Sequence, residues 1–190
     1  MENKLFTPVI LGTNREGRQS ENVAKLLLQT MKKRKGFTTQ LFDVRDFKFP
    51  QDDYGQAIKE QFPTWRDAVV RADGLVIVTP EYNHGYPGPL KSLLDTLLPE
   101  YKHKAVALVG VSAGPWGGTR AVENLLGVMR ELGLVAISAN LNFPQAQELF
   151  DEKGELQDEV YVERINRFLD ELEWMARVLR WGRENLESNK

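Results

Sequence analysis

Three short runs, Val9-Ile10-Leu11, Leu75-Val76-Ile77-Val78 and Ala105-Val106-Ala107-Leu108-Val109, are apolar at every position. A strand with one wet face alternates polar and apolar residues. A run with no polar member belongs to a strand covered on both faces, the habit of parallel sheets. Residues 38–44 and 134–138 are weaker strand candidates. Between these runs the apolar residues recur at helical spacing: Val23, Leu26, Leu27 and Met31; then Leu90, Leu93, Leu94, Leu97 and Leu98; then Ala121, Leu125, Val128, Met129 and Leu132. Residues 56–72 also read as helical, with Pro63 breaking the helix or starting its second half. A last helix, about residues 158–187, carries Ile165, Phe168, Leu169, Leu172, Met175, Ala176 and Leu179, and a second stripe of Trp174, Val178 and Trp181. Five strands alternating with five helices predict a doubly wound α/β/α sandwich. The 190 residues suffice for one domain, taken as residues 1–190, with residues 142–158 as the longest loop.

Composition narrows the chemistry. The chain has no cysteine and only two histidines, His84 and His103. Disulfides, thiol nucleophiles, Cys-ligated metals and a His-rich metal site are thereby set aside. The formal net charge is −2 with basic residues dispersed, so nothing favours nucleic acid or an anionic membrane as partner. No apolar run approaches the ~20 residues of a membrane span. Met1 to Lys4 is polar and runs straight into a strand, leaving no room for a signal peptide, so a cytoplasmic location is expected. Hard chemistry must come from an organic cofactor, or from carboxylates and hydroxyls.

In doubly wound sheets ligands bind outside the carboxyl ends of the strands. The loop after the first strand, Gly12 to Ser20, offers two glycines, two arginines and two hydroxyls where a helix begins. Unpaired N–H groups and the positive end of the helix dipole favour a phosphate there. The plainer alternative is a strand-to-helix turn with Ser20 as N-cap. Gly12 and Gly17 share the spacing of a Walker A loop, but Arg18-Gln19-Ser20 replaces its continuation, and the dinucleotide fingerprint G-x-G-x-x-G is absent. The loop after the third strand, Thr79 to Lys91, holds three prolines and two glycines. Its rigid backbone can meet the hydrogen-bonding edge of a flat ring, with Tyr82 and Tyr86 as walls. After the fourth strand, Gly114, Gly117 and Gly118 let backbone approach such a ring closely, and Ser112 can reach its polar rim. Trp116 reads either as a flank to the ring or as a hydrophobic plug, and Lys91 with Asp95 as a surface pair.

Gly12-Thr13-Asn14-Arg15, then Pro80-Glu81-Tyr82-Asn83 followed by Pro87-Gly88-Pro89-Leu90-Lys91, resembles the NADPH-dependent FMN reductase family of quinone, azo-dye and chromate reductases. The resemblance runs to about Pro144 and departs at Thr13, where the family often has serine. It implies a flavodoxin-like fold with a five-stranded parallel sheet in the order 2-1-3-4-5. It implies that Thr13, Arg15, Ser20 and Asn22 hold the FMN phosphate, with Arg18 assisting. Pro80, Glu81, Tyr82 and Asn83 would line the isoalloxazine ring, and Ser112, Gly114 and Gly117 would border it and the nicotinamide site. The implied reaction passes a hydride from NADPH or NADH to bound FMN and two electrons on to a small acceptor, in ping-pong order. Arg120 reads either as an answer to the NADPH phosphates or as a solvated residue. A homodimer or homotetramer is the expected assembly. Two rival readings remain at this stage: a flavodoxin-like electron carrier, and a flavin-binding sensor that uses its last helix to bind a partner.

Overall fold

The computed structural model describes residues 4–50 and 52–186; the start of the chain through Asn3 and the expected last helical position, residue 187, lie outside the described residues. Six strands form the main sheet, and a two-stranded sheet continues two of its lanes. The first lane consists of β1 (Leu5–Phe6) and β2 (Val9–Leu11), followed by helix α1 (Ser20–Lys33). The second lane consists of β3 (Phe37–Thr38) and β4 (Leu41–Asp43). Pro8 lacks an N–H and splits the first lane, yet the ladder continues across both breaks, with Thr7 N–H on the Thr38 carbonyl and Val9 N–H on the Gln40 carbonyl, each at 2.9 Å. A 3₁₀ turn (Gly55–Gln61) leads to α2 (Pro63–Arg71), where Pro63 occupies the first turn. This is the restart expected of a residue whose missing N–H costs nothing there. Then come β5 (Gly74–Pro80), α3 (Gly88–Asp95), β6 (Lys104–Val111), α4 (Thr119–Glu131), β7 (Leu134–Ala136), β8 (Leu141–Phe143) and α5 (Val160–Asn185).

All pairings between these strands are parallel, in the order β4-β2-β5-β6-β7, with β8 continuing the β7 edge alongside β6. Counted as lanes, this is the expected 2-1-3-4-5. The stretch expected to be one long loop is more ordered than that. Asn142 and Phe143 belong to β8, because Phe143 buries its ring and the segment pairs with Val109–Val111. Further on, a 3₁₀ turn (Ala146–Glu148) and a bridge between Phe150 and Leu156 tie the remainder down.

Two apolar layers flank the sheet. On one face Val23, Leu27 and Met31 of α1 and Ile165, Phe168, Leu169 and Leu172 of α5 cover Val9, Leu11, Val76, Val78 and Ala107. On the other, Trp65 and Val69 of α2, Leu90, Leu93 and Leu94 of α3, and Leu125 and Met129 of α4 cover Ile10, Leu75, Ile77 and Leu108. Covering both faces is why the central runs tolerate no polar residue. The second stripe of α5 is uncovered, with Trp174 and Trp181 each more than half exposed.

At the amino ends of the strands, the Asp73 carboxylate accepts from Phe6 N–H at 3.0 Å, Arg183 at 3.0 Å and Arg180 at 3.4 Å. Arg180 also reaches the Lys4 carbonyl, and Arg183 the His103 carbonyl. This clasp fastens the last helix to the first strand. Beside it Lys104 is buried, donating to the Val69 and Val70 carbonyls that close α2. Burial first, and the Arg183 charge second, lower the Lys104 ammonium to about 8. In the unfolded chain the same group titrates near about 10.4. Between those values the unfolded state holds a proton that the folded state has released, so stability should rise with pH. Urea midpoints at pH 7.5 and pH 10 test this: the wild type should gain on Lys104→Met across the interval, and parallel behaviour would remove Lys104 as the cause.

Candidate functional site

A cleft of about 300 Å³ opens at the carboxyl ends of β2, β5 and β6. Its walls come from Arg15 to Ser20 after β2, Pro80 to Tyr82 after β5, and Val111 to Ala113 after β6, with Gln147 closing one side. Of the residues expected at a ligand, Arg15, Arg18, Ser20, Pro80, Glu81, Tyr82 and Ser112 line this cleft. Thr13, Asn22, Asn83, Gly114 and Gly117 sit behind it or beside it. Thr13 is buried, its hydroxyl on the Tyr82 hydroxyl at 2.7 Å and accepting from Arg15 N–H at 3.2 Å. The side chain of Asn22 lies against Gly154. Asn83 is exposed at φ +48°. The carbonyls of Gly114 and Gly117 accept from Ser112 and from Asn142. Tyr86 does not form a wall; it packs partly buried against the layer under α3.

Ser20 does not cap its helix. It stands in the first turn of α1, Gln19 takes the cap position, and no side chain caps that end. The Ser20 hydroxyl is buried and, among the described residues, has no hydrogen-bond partner. An unsatisfied buried hydroxyl costs about 1–3 kcal/mol, and this one sits on the wall of the cleft at a helix N-terminus. Arg15 is exposed at the same place, and its guanidinium bonds no acceptor among the described residues. A phosphate is a group that accepts from both a hydroxyl and a guanidinium, so the residues present fit a phosphate-tailed cofactor.

Arg18 has a different occupation. Its side chain is 4 % exposed, and four of its five N–H groups are taken by Glu21, the Thr13 carbonyl and both oxygens of Asp43. Burial alone would raise the Asp43 carboxyl, but the Arg18 guanidinium and the Arg45 N–H hold it below its usual range. Arg45, in the turn after β4, donates to the carbonyls of Asn14 and Arg15. The loop that faces the ligand is therefore fastened from behind by Asp43 and Arg45, neither of which sequence reasoning had singled out.

The second wall is fastened in the same way. Glu81, with its side chain 6 % exposed, accepts from Arg120 Nε at 2.6 Å and from the Arg120 N–H at 3.2 Å. Arg120 Nη1 lies 2.7 Å from His84 Nε2, and Asn124 donates to the His84 carbonyl. A guanidinium only donates, so His84 Nε2 is the acceptor in this contact. Arg120, expected to be solvated, instead locks the loop after β5 onto the start of α4. Lys91 and Asp95 form the expected pair at 2.6 Å. Trp116 is no plug: it is 63 % exposed. Gly17, Gln19, Val111 and Ala113 line the cleft on loops expected there though not singled out, whereas Gln147 was missed; it reaches the Ala113 carbonyl at 3.3 Å from a segment with no motif of its own.

Among the described residues no group of acidic or histidine side chains could hold a metal, and no helix is long and apolar enough to cross a membrane. The family profile described as NADPH-dependent FMN reductase matches residues 8–148. A subunit of the NADH:(hydroxy)cinnamate reductase of Vibrio ruber is 30% identical over 158 residues, 79% of this chain and 76% of that protein. An NAD(P)H-dependent FMN reductase of Pseudomonas aeruginosa is 30% identical over 76% of this chain and 82% of its own length. Among solved structures, the flavoenzyme NAD(P)H:(acceptor) oxidoreductase FerB of Paracoccus denitrificans superposes with a TM-score of 0.76 at 23% identity, covering 92% of this chain and 98% of that one. The doubly wound sheet is thus the flavodoxin-like fold.

Proposed function

This chain belongs to the NADPH-dependent FMN reductase family and is an NAD(P)H-dependent flavin oxidoreductase, and from that premise we propose that it reduces a small organic acceptor of the quinone class in ping-pong order. When bound, FMN supplies a two-electron centre that takes a hydride from NAD(P)H and yields the electrons to the acceptor. Every other task falls to the chain. Arg15, Ser20 and the first turn of α1 bind the phosphate, with Thr13 shaping the turn through Tyr82 and Asn22 standing behind it. Arg18 braces that loop against Asp43 rather than serving the phosphate. Pro80, Glu81, Tyr82 and Asn83 would border the ring, although the Glu81 and Tyr82 N–H groups are already given to the Val111 and Gly85 carbonyls, and Ser112, Gly114 and Gly117 would complete that border.

The carrying observation is that the buried Ser20 hydroxyl and the exposed Arg15 guanidinium, neither with a partner among the described residues, line the same cleft. The cleft is open to solvent, and the described residues fold around a single cleft-bearing sheet, so donor and acceptor would take turns at one site. That sharing supports the ping-pong order. The exposed Trp174 and Trp181 on α5 support a homodimer or homotetramer. Residues 1–190 act as one domain, and the cytoplasm is the assigned location. An absorption spectrum of the purified protein, repeated anaerobically after NADPH and again after a benzoquinone, tests the reading. A flavin spectrum that bleaches and then returns is expected. A protein that takes up no FMN at micromolar concentration, or stays yellow with both NADPH and NADH, would overturn it.

A further inference from the structure

Trp116 stands in water on a rigid mount. Its carbonyl accepts from the Thr119 N–H at 3.1 Å and the Thr119 hydroxyl at 2.6 Å. Gly117 and Gly118 follow with φ of +59° and +78°. They press so closely on the strand ends that a Cβ on Gly118 would lie 2.5 Å from the Val111 nitrogen. The Arg120 guanidinium is 5.9 Å from the indole centroid, itself held by Glu81 and His84. A single exposed apolar side chain is ordinary. A large planar ring on an anchored turn, with a guanidinium near it and a cleft close by, is a surface suited to another ring.

Its place selects the occupant. Trp116 is three residues beyond Ala113, which lines the cleft, but does not line the cleft itself. A small acceptor must enter the cleft to receive electrons, and one confined there does not extend to the lip. The donor is a dinucleotide with two rings, so its adenine lies outside whenever its nicotinamide is inside. Glu81 already neutralises the Arg120 charge, so the lip offers a ring face more than a positive charge. We propose that Trp116 is the stacking platform for the adenine of the NAD(P)H donor. The proposal rests on the reading of the chain as an NAD(P)H-dependent flavin reductase.

The test uses FMN-loaded wild type, Trp116→Ala and Trp116→Phe. Calorimetric binding of 2′,5′-ADP and of 5′-AMP probes the adenine alone. Anaerobic single-turnover bleaching compares NADPH with reduced nicotinamide mononucleotide, which lacks the adenylate. Stacking of a base on an aromatic side chain predicts that Trp116→Ala weakens both adenine nucleotides about tenfold. The half-saturating NADPH concentration rises by the same factor, the mononucleotide is unaffected, and Trp116→Phe recovers most of the loss. Unchanged nucleotide binding in Trp116→Ala, or an equal loss with the mononucleotide, overturns the platform. A wild type that bleaches with neither donor instead overturns the reductase reading, and the platform with it.

Discussion

Arg15→Ala is expected to purify folded but nearly colourless, and to regain activity when FMN is supplied. The side chain is exposed on the loop after β2 that lines the cleft and bonds no acceptor among the described residues, so its removal disturbs no packing. A charge-assisted contact to phosphate contributes on the order of 1.5–3 kcal/mol, about 10- to 100-fold in affinity. The ratio of flavin to protein absorbance, and the dissociation constant from fluorescence titration, measure it. Thermal unfolding of the flavin-free forms should coincide for variant and wild type. Wild-type flavin occupancy in Arg15→Ala would remove this arginine from the phosphate site.

The second large effect is on stability. Asp43→Asn leaves the Arg18 guanidinium, 4 % exposed, facing a neutral amide. Breaking a buried pair from one side typically costs 3–5 kcal/mol. Asp43 retains some solvent contact, so about 3 kcal/mol is the expected figure at neutral pH. The pair's acid limb follows from the depressed Asp43 carboxyl. Its contribution is complete above the unfolded carboxylate value of about 4 and is lost as pH falls through the lower folded value. Asp43→Asn should therefore lack part of the acid-side decline of the wild type. Urea denaturation across pH 2–7 reads both effects, and a loss within about 0.5 kcal/mol, ordinary for surface substitutions, would show that the brace carries no weight. FMN affinity should fall as well, because Arg18 also holds the Thr13 carbonyl.

The centre of the fold was open to sequence reasoning, and its edges were not. Leu75–Val78 and Ala105–Val109 are covered on both faces, so their composition alone marks them. The β8 strand spans only Leu141, Asn142 and Phe143, and its middle residue is polar. Nothing local separates such a segment from loop, and long-range pairing with β6 decides the matter. The site divides in the same way. That the three strand-end loops would meet at one cleft was legible because glycine and proline constrain backbone, and hydroxyls beside arginines constrain charge. The task of Arg18 was not, since an arginine near a phosphate loop reads alike whether it faces the ligand or Asp43, 25 positions away. Glu81 with Arg120, and Gln147 in the cleft wall, depend equally on partners remote in the chain.

The carboxylate clasp between β1, β5 and α5 gathers Lys4 and Arg180 at the pole of the sheet opposite the cleft. A tether grafted at either end of the described chain would hang from that far pole. Immobilised on a bead or an electrode by such a tether, the molecule would turn its cleft outward to the bulk, with the full length of the sheet between cleft and support.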